Sequence, residues 1–205
     1  NDVRALWEDT SGVLWIGSRG GGASLLDLKP PKFLHVQRDP LDPGSLSDSR
    51  VSAIVRDRHG ALWVGTLGGL DRYDPSRRAF EHFRSRTGDP GALPADNIRS
   101  LIEDRSGTLW VGTWRGGLSR FDRERGRFET LGLSPRLPGT LIDDRVNTLH
   151  EDARGRLWVG TQGGVSVLAA DRRSLTHYRH QPDDPDTLSD SFAWVMVSDL
   201  AGVVW

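Results

Sequence analysis

Apolar and polar residues alternate in short runs along this chain, and the runs recur in a fixed order. Residues 51–56 (Val-Ser-Ala-Ile-Val-Arg) are rich in β-branched side chains and loosely alternating, which predicts a strand. Asp57-Arg-His-Gly60 reads as a tight turn, because Asp accepts hydrogen bonds from nearby amides and Gly supplies a positive φ. A second strand is expected over 61–66, a turn at Leu67-Gly68-Gly69, and a third strand over 70–74 with one buried face. A turn at Pro75-Ser-Arg-Arg78 leads to a fourth strand over 79–84. Four short strands with turn signals at this spacing describe an all-β unit.

The same plan fits the rest of the chain. The first copy has a strand ending at Glu8 and others over 13–18, 23–28 and 33–37. The third has strands over 98–103, 108–113, 118–122 and 127–131, and the fourth over 146–151, 156–161, 165–168 and 175–179. A fifth copy opens with a strand over 193–198. One phrase, Asp-x-x-Gly-x-[Leu/Val]-Trp, marks every copy. It stands at Asp9, Gly12 and Trp15, at Asp57, Gly60 and Trp63, and at Asp104, Gly107 and Trp110. It stands again at Asp152, Gly155 and Trp158, and at Asp199, Gly202 and Trp205. Successive tryptophans are 48, 47, 48 and 47 residues apart. Four of the five copies continue as Trp-[Ile/Val]-Gly-[Ser/Thr].

A fixed period of this size means a repeat architecture. The units are residues 1–49, 50–97, 98–144 and 145–191, with a partial unit over 192–205. A four-stranded antiparallel unit of this length, repeated radially, is a β-propeller blade. One such sheet cannot cover both of its faces, so blades stack. A tryptophan at the same place in each second strand would fill the seam, where truncating a large aromatic costs about 3–5 kcal/mol. The repeated Asp and Gly are expected to shape the turn before it. The long connections (residues 42–49, 89–97, 138–144 and 184–191) each carry a leucine suited to anchoring the loop on its neighbour. The expected fold is all-β, an arc of a propeller made of four blades and part of a fifth. Its first and last sheets would expose faces suited to another chain, so homo-oligomers are expected.

Composition narrows the chemistry. A net charge of −1 gives no field for nucleic acid or an anionic membrane. The basic residues are 25 Arg against 2 Lys. Without cysteine there is no disulfide, thiolate chemistry or cysteine zinc site. No apolar run approaches the roughly 20 residues of a membrane span, so direct membrane insertion is not expected of this region.

No catalytic residue, metal ligand or cofactor site is expected. The repeated Asp lacks the companion carboxylates of a calcium loop, and its recurrence in every copy points to turn capping. His35, His82 and His177 fall at similar places in fourth strands, and no His pair has zinc-binding spacing on a helix. There is no nucleophile elbow and no phosphate-binding loop. More telling is the turn after Trp-Val-Gly-Thr, where the copies disagree: Arg19, Leu67, Trp114 with Arg115, and Gln162. In a propeller these turns share a rim with the blade-linking loops. Trp114 offers an aromatic face and Arg115 a fork of donors, suited to a sugar ring or a carboxylate. Arg19 and Gln162 are the further candidates.

The run Val51-x-x-Ile54-x-x-Asp57-x-x-Gly60-x-Leu62-Trp63-Val64-Gly65-Thr66-x-Gly68-Gly69-Leu70-x-x-Tyr73-Asp74 resembles the two-component regulator propeller repeat. The stretch from Leu118 to Asp122 matches as well. The resemblance covers the whole chain. It implies blades of a seven-bladed propeller in the periplasmic part of a membrane sensor whose output is a histidine kinase or a diguanylate cyclase. It implies ligand sensing without catalysis, with an oligosaccharide or another small molecule as the ligand. The alternatives are a propeller enzyme, lyase or glycosidase, and a scaffold binding another polypeptide.

Overall fold

A computed structural model describes residues 2–9, 12–27, 32–131 and 139–205. It contains sixteen strands in four antiparallel sheets, each made of four strands consecutive in sequence. The first sheet holds β1 (Asp2–Glu8), β2 (Leu14–Arg19), β3 (Gly22–Asp27) and β4 (Lys32–Val36). The second holds β5 (Val51–Arg56), β6 (Leu62–Thr66), β7 (Gly69–Asp74) and β8 (Ala79–Phe83). The third holds β9 (Ile98–Glu103), β10 (Leu109–Thr113), β11 (Gly117–Asp122) and β12 (Arg127–Thr130). The fourth holds β13 (Val146–Glu151), β14 (Leu157–Thr161), β15 (Val165–Leu168) and β16 (Leu175–Tyr178). We number these sheets blades 1 to 4.

The chain divides into two compact units, residues 1–85 with 96–99, and residues 86–95 with 100–205. In the first, blades 1 and 2 meet over a core of Trp15, Val51, Leu62, Val64 and Phe80, closed by Leu46 from the linking loop. In the second, blades 3 and 4 meet over Trp110, Leu118, Val146, Leu157 and Val159. Each core is therefore the tryptophan of one blade against the first two strands of the next. Stacking also explains the glycine after the tryptophan. A Cβ at Gly17 would lie 2.8 Å from Val51, and one at Gly112 would lie 2.6 Å from Val146. The next blade comes too close for a side chain.

The turn glycines of the repeat do what the sequence suggests. Gly12, Gly60, Gly107, Gly155 and Gly202 all take a left-handed conformation, with φ of 84°, 84°, 89°, 75° and 82°. Each donates its amide to the carbonyl oxygen of the Asp three residues before, at 3.0, 2.8, 2.8, 2.9 and 3.0 Å in the same order. In blade 1, Asp9 Oδ1 also accepts from the amide of Val13 at 3.1 Å.

The hairpin between first and second strands is built identically in blades 2, 3 and 4. In blade 3, Asp104 Oδ1 accepts from the amides of Ser106 (2.9 Å) and Thr108 (3.0 Å), while Oδ2 accepts the indole N–H of Trp110 at 2.8 Å. Trp63 and Trp158 donate to Asp57 and Asp152 at the same 2.8 Å. The carboxylate thus caps the turn and orients the seam-filling ring, satisfying an indole N–H that would be costly to bury alone. In the second unit Arg172 adds a staple. It donates to Asp104 Oδ2 at 2.8 Å and to Gly155 O at 2.9 Å, and lies 5.7 Å from the Trp110 ring.

Burial opposes the charge on Asp104, yet hydrogen bonds from Ser106, Trp110 and Arg172 prevail and hold its carboxyl below the usual range. At Asp152 burial is likewise outweighed by Trp158 and Arg156, and the carboxyl falls to about 2.

The strand expected over 193–198 is not formed. Pairing there is confined to a bridge between Ser198 and Val204 and to mutual backbone bonds of Val197 with Trp205. A strand needs a partner along its length, and Val203–Trp205 is too short to provide one. The turn is nonetheless complete, with Trp205 donating to Asp199 at 3.0 Å. Nothing covers that ring: Trp205 is 72% exposed, against 1% for Trp110. Leu28, the expected end of a strand, and Pro138, the start of a linking loop, lie outside the described residues.

Candidate functional site

The copies part company at the turn joining second and third strands. In blades 2 and 4 this turn leaves two residues between the paired ends, Leu67-Gly68 and Gln162-Gly163. In blades 1 and 3 it leaves three, Arg19-Gly20-Gly21 and Trp114-Arg115-Gly116. The central residue of the longer turn takes a left-handed conformation. In blade 1 it is Gly20, with φ 87°, and in blade 3 it is Arg115, with φ 70°. An L-residue there costs about 1 kcal/mol that glycine does not. Arg172 and Arg78 also have positive φ, at 59° and 50°. Arg172 is engaged by Asp104 and Arg78 sits in an exposed turn, so the conformation by itself marks no site. At Arg115 it coincides with an open pocket.

That pocket encloses about 300 Å³. Leu131, Leu141 and Pro94 give it an apolar lining, and the backbone of Gly116 and Gly117 passes along it. Thr130 and Thr140 also line it, and the exposed Arg115 and Asp144 contribute its charges. Several contacts fix the frame. Gly117 N donates to Asp144 O at 2.9 Å, tying the turn to the loop before blade 4. Thr113 Oγ1 donates to Gly117 O at 3.1 Å. A Cβ on Gly116 would lie 2.9 Å from Pro94 and 3.0 Å from Ala95, so only glycine lets the two loops meet.

Arg145 joins the rim turns of blades 3 and 4. Its backbone bridges Trp114, and its carbonyl accepts from Gln162 N at 3.2 Å. Its amide and Nε both donate to Asp143 Oδ1, at 2.8 and 2.9 Å. That guanidinium bond holds the Asp143 carboxyl below its usual range and raises Arg145.

Of the four rim residues singled out by sequence, Arg115 lines the pocket. Trp114 and Gln162 stand half-buried on turns that share Arg145, and neither lines it. Arg19 is exposed on blade 1, in the other unit. Pro94, Leu131, Thr140, Leu141 and Asp144 carry no signal for a site along the sequence, where Leu141 reads only as a loop anchor; the fold alone brings them together at the rim turn of blade 3.

A larger pocket of about 670 Å³ lies on blade 2, by the turns at the other end of the sheet. Its charged walls are already matched: Arg72 pairs with Glu81, and Arg77 approaches Asp74 at 3.5 Å. Among the described residues no group of three or more His, Cys, Asp or Glu converges on a metal position, and no helix is long and apolar enough to cross a membrane.

Residues 45–68, 92–115 and 140–163 each match the family described as two component regulator propeller. Together the three stretches cover 72 of the 205 residues. Each matched stretch runs from a linking loop through the Asp–Trp hairpin to the rim turn, and the second ends on Arg115. Among solved structures, the extracellular domain assigned to a hybrid two component system, BT4673 of B. thetaiotaomicron, matches all of this chain with a TM-score of 0.81 at 24% identity. A second such domain from that organism, BT3049, gives 0.73 at 20%. Virginiamycin B lyase from Staphylococcus aureus gives 0.70 at 14%, again over the whole chain. This chain spans 26%, 32% and 62% of those three. At these identities the likeness establishes the fold: the four sheets are blades of a β-propeller. No curated protein sequence matches the chain.

Proposed function

We propose that this chain is a ligand-sensing stretch of the extracytoplasmic, periplasmic part of a signalling receptor, and that it binds without catalysing. The two component regulator propeller repeat and the likeness to extracellular two component domains support that reading. The ligand is a hydroxyl-rich small molecule, an oligosaccharide fragment, and it seats at the pocket of blade 3. The single observation carrying this is Arg115: an exposed arginine held in a left-handed conformation, at the position blade 1 gives to glycine, and facing a pocket. Arg115 donates to sugar oxygens and Asp144 accepts from sugar hydroxyls. Leu131 and Leu141 take the C–H face of the ring, as is usual for sites that combine an apolar lining with a few placed polar groups. For such binding to signal, the ligand must favour one receptor state over another.

Calorimetric titration with neutral di- and trisaccharides of the common plant polysaccharides tests the reading. Binding that Arg115→Gly weakens at least tenfold is expected, and binding that survives unchanged removes Arg115 from the site. Self-association belongs to the same proposal. Val3 and Leu6 on β1, and Trp194 and Trp205 near residue 205, are well exposed, and patches of this kind seek cover. Light scattering should show mass rising with concentration, and a monomer throughout would count against it.

A further inference from the structure

The third and fourth strands of every blade carry a facing polar pair at one shared register. It is Ser24 with His35 in blade 1, Ser119 with Thr130 in blade 3 and Ser166 with His177 in blade 4, at 3.1, 2.8 and 2.9 Å. Blade 2 alone places a carboxylate there, Asp71, which is fully buried and faces His82.

The contacts of this pair fix its proton count. Nε2 of His82 lies 2.8 Å from the carbonyl oxygen of Pro43, which can only accept, so Nε2 carries a proton. Nδ1 lies 2.6 Å from Asp71 Oδ1, so a proton sits between those two atoms as well. Asp71 Oδ2 meanwhile accepts from Ser47 N at 3.0 Å and Ser47 Oγ at 2.8 Å. Either His82 is an imidazolium beside a carboxylate, or a neutral His82 accepts from a protonated Asp71. Both forms hold one proton more than an ionised Asp71 beside a neutral His82. Removing it sets a ring lone pair against either the Pro43 carbonyl or the carboxylate, and one contact must break.

Pro43 and Ser47 belong to the loop that links blade 1 to blade 2. The loop is also held by Phe80 N donating to Gly44 O at 2.7 Å and by Leu46, 1% exposed. It lies against the rim turn of blade 2, where a Cβ on Gly68 would be 2.9 Å from Ser47 O. Among the described residues no other charge contacts the pair. β6 offers Thr66 and the loop offers Ser47 and Pro43, all uncharged, while Arg72 and Glu81, beside it in sequence, pair with each other.

We propose that Asp71 and His82 share one proton that latches the loop of residues 38–48 onto blade 2, so that the loop loosens on this rim as the pH rises. Burial supports it by pushing the Asp71 carboxyl upward, against the pull of the His82 and Ser47 hydrogen bonds. The sense follows from the proton count: the docked loop is favoured while the proton is bound and loses a contact when it leaves.

The test is NMR on the whole chain from about pH 5 to about pH 8, the range in which histidines titrate. Solvent exchange of the Ser47 amide, normalised to its intrinsic rate, should rise about tenfold or more towards the upper end. The Val64 amide in the core should stay protected over the same interval. Asp71→Ser installs the Ser–His pair of blades 1 and 4, whose hydroxyl can donate to a neutral Nδ1 or accept from a protonated one, and should abolish the pH dependence of the loop. Unchanged Ser47 exchange in the parent chain overturns the latch. So does a His82 ring nitrogen that is unprotonated across the whole range, a readout independent of how well the variant folds.

Discussion

At one end of blade 3, Asp104 holds the Trp110 indole at 2.8 Å, just as Asp152 holds Trp158 in blade 4. At the other end the two blades diverge. Blade 3 spans its rim turn with Trp114, Arg115 and Gly116, and blade 4 uses only Gln162 and Gly163. At the shared end the carboxylate accepts from two turn amides and from the indole N–H in both blades. The divergent end carries an arginine in a conformation better suited to glycine, beside an open pocket. Where the copies agree, the residues meet the demands of stacking. Where they differ, the turn packs against a linking loop and leaves Arg115 exposed beside the pocket.

The strongest way to break this contrast is at the seam. Trp110→Ala should destabilise the chain by about 3–5 kcal/mol, since the ring is buried and the neighbouring blade cannot collapse onto the space. Trp205→Ala, with the same turn but an uncovered ring, should cost under about 1 kcal/mol. Denaturant unfolding of both variants checks this, and equal losses would mean that burial by a neighbour is not what the tryptophan is for.

Next comes the carboxylate. Asp104→Ala strands the Trp110 N–H and removes one of the partners of Arg172, for a loss of about 2–3 kcal/mol. Acid should act in the same direction. The Asp152 carboxyl lies at about 2 against an ordinary 3.8. Its stabilising contribution is therefore complete above the ordinary value and is lost as the pH falls through about 2. A melting temperature that stays level from pH 4 down to about 2 would contradict this.

The smallest stability effect belongs to the rim. Arg115→Gly should leave stability unchanged or raise it by up to about 1 kcal/mol by relieving the left-handed strain. A clear loss of stability would make Arg115 a structural residue.

The sequence made one kind of feature plain. A spacing of 47 or 48 residues, with Asp, Gly and Trp in register, gave the strands and turns of all four blades to within a residue or so at each end. Other features could not be read along a single strand. In blades 1 and 3 the glycine after the tryptophan answers to a valine about 34 residues further on, Val51 for Gly17 and Val146 for Gly112, and it makes sense only once two blades are stacked. The indole–carboxylate bond was within reach, because Asp and Trp keep a constant separation of six, but a turn-capping role already accounted for the Asp. The pocket was out of reach: Leu141 keeps the register of Leu46 and Leu93 and reads along the chain as a loop anchor, and only the fold brings it, with Leu131, Thr140 and Asp144, beside Arg115. Asp71 was visible as the one acid among Ser24, Ser119 and Ser166. Its meaning came from His82 and Pro43, which approach it across a strand and a loop.

The most direct measurement titrates neutral oligosaccharides into the parent chain and into Arg115→Gly, with unfolding midpoints taken on the same samples. Binding that falls at least tenfold while the midpoint holds or rises is the result expected of a blade whose shared end builds and whose divergent end binds. Binding that persists in Arg115→Gly, or a midpoint that falls with it, would contradict that division.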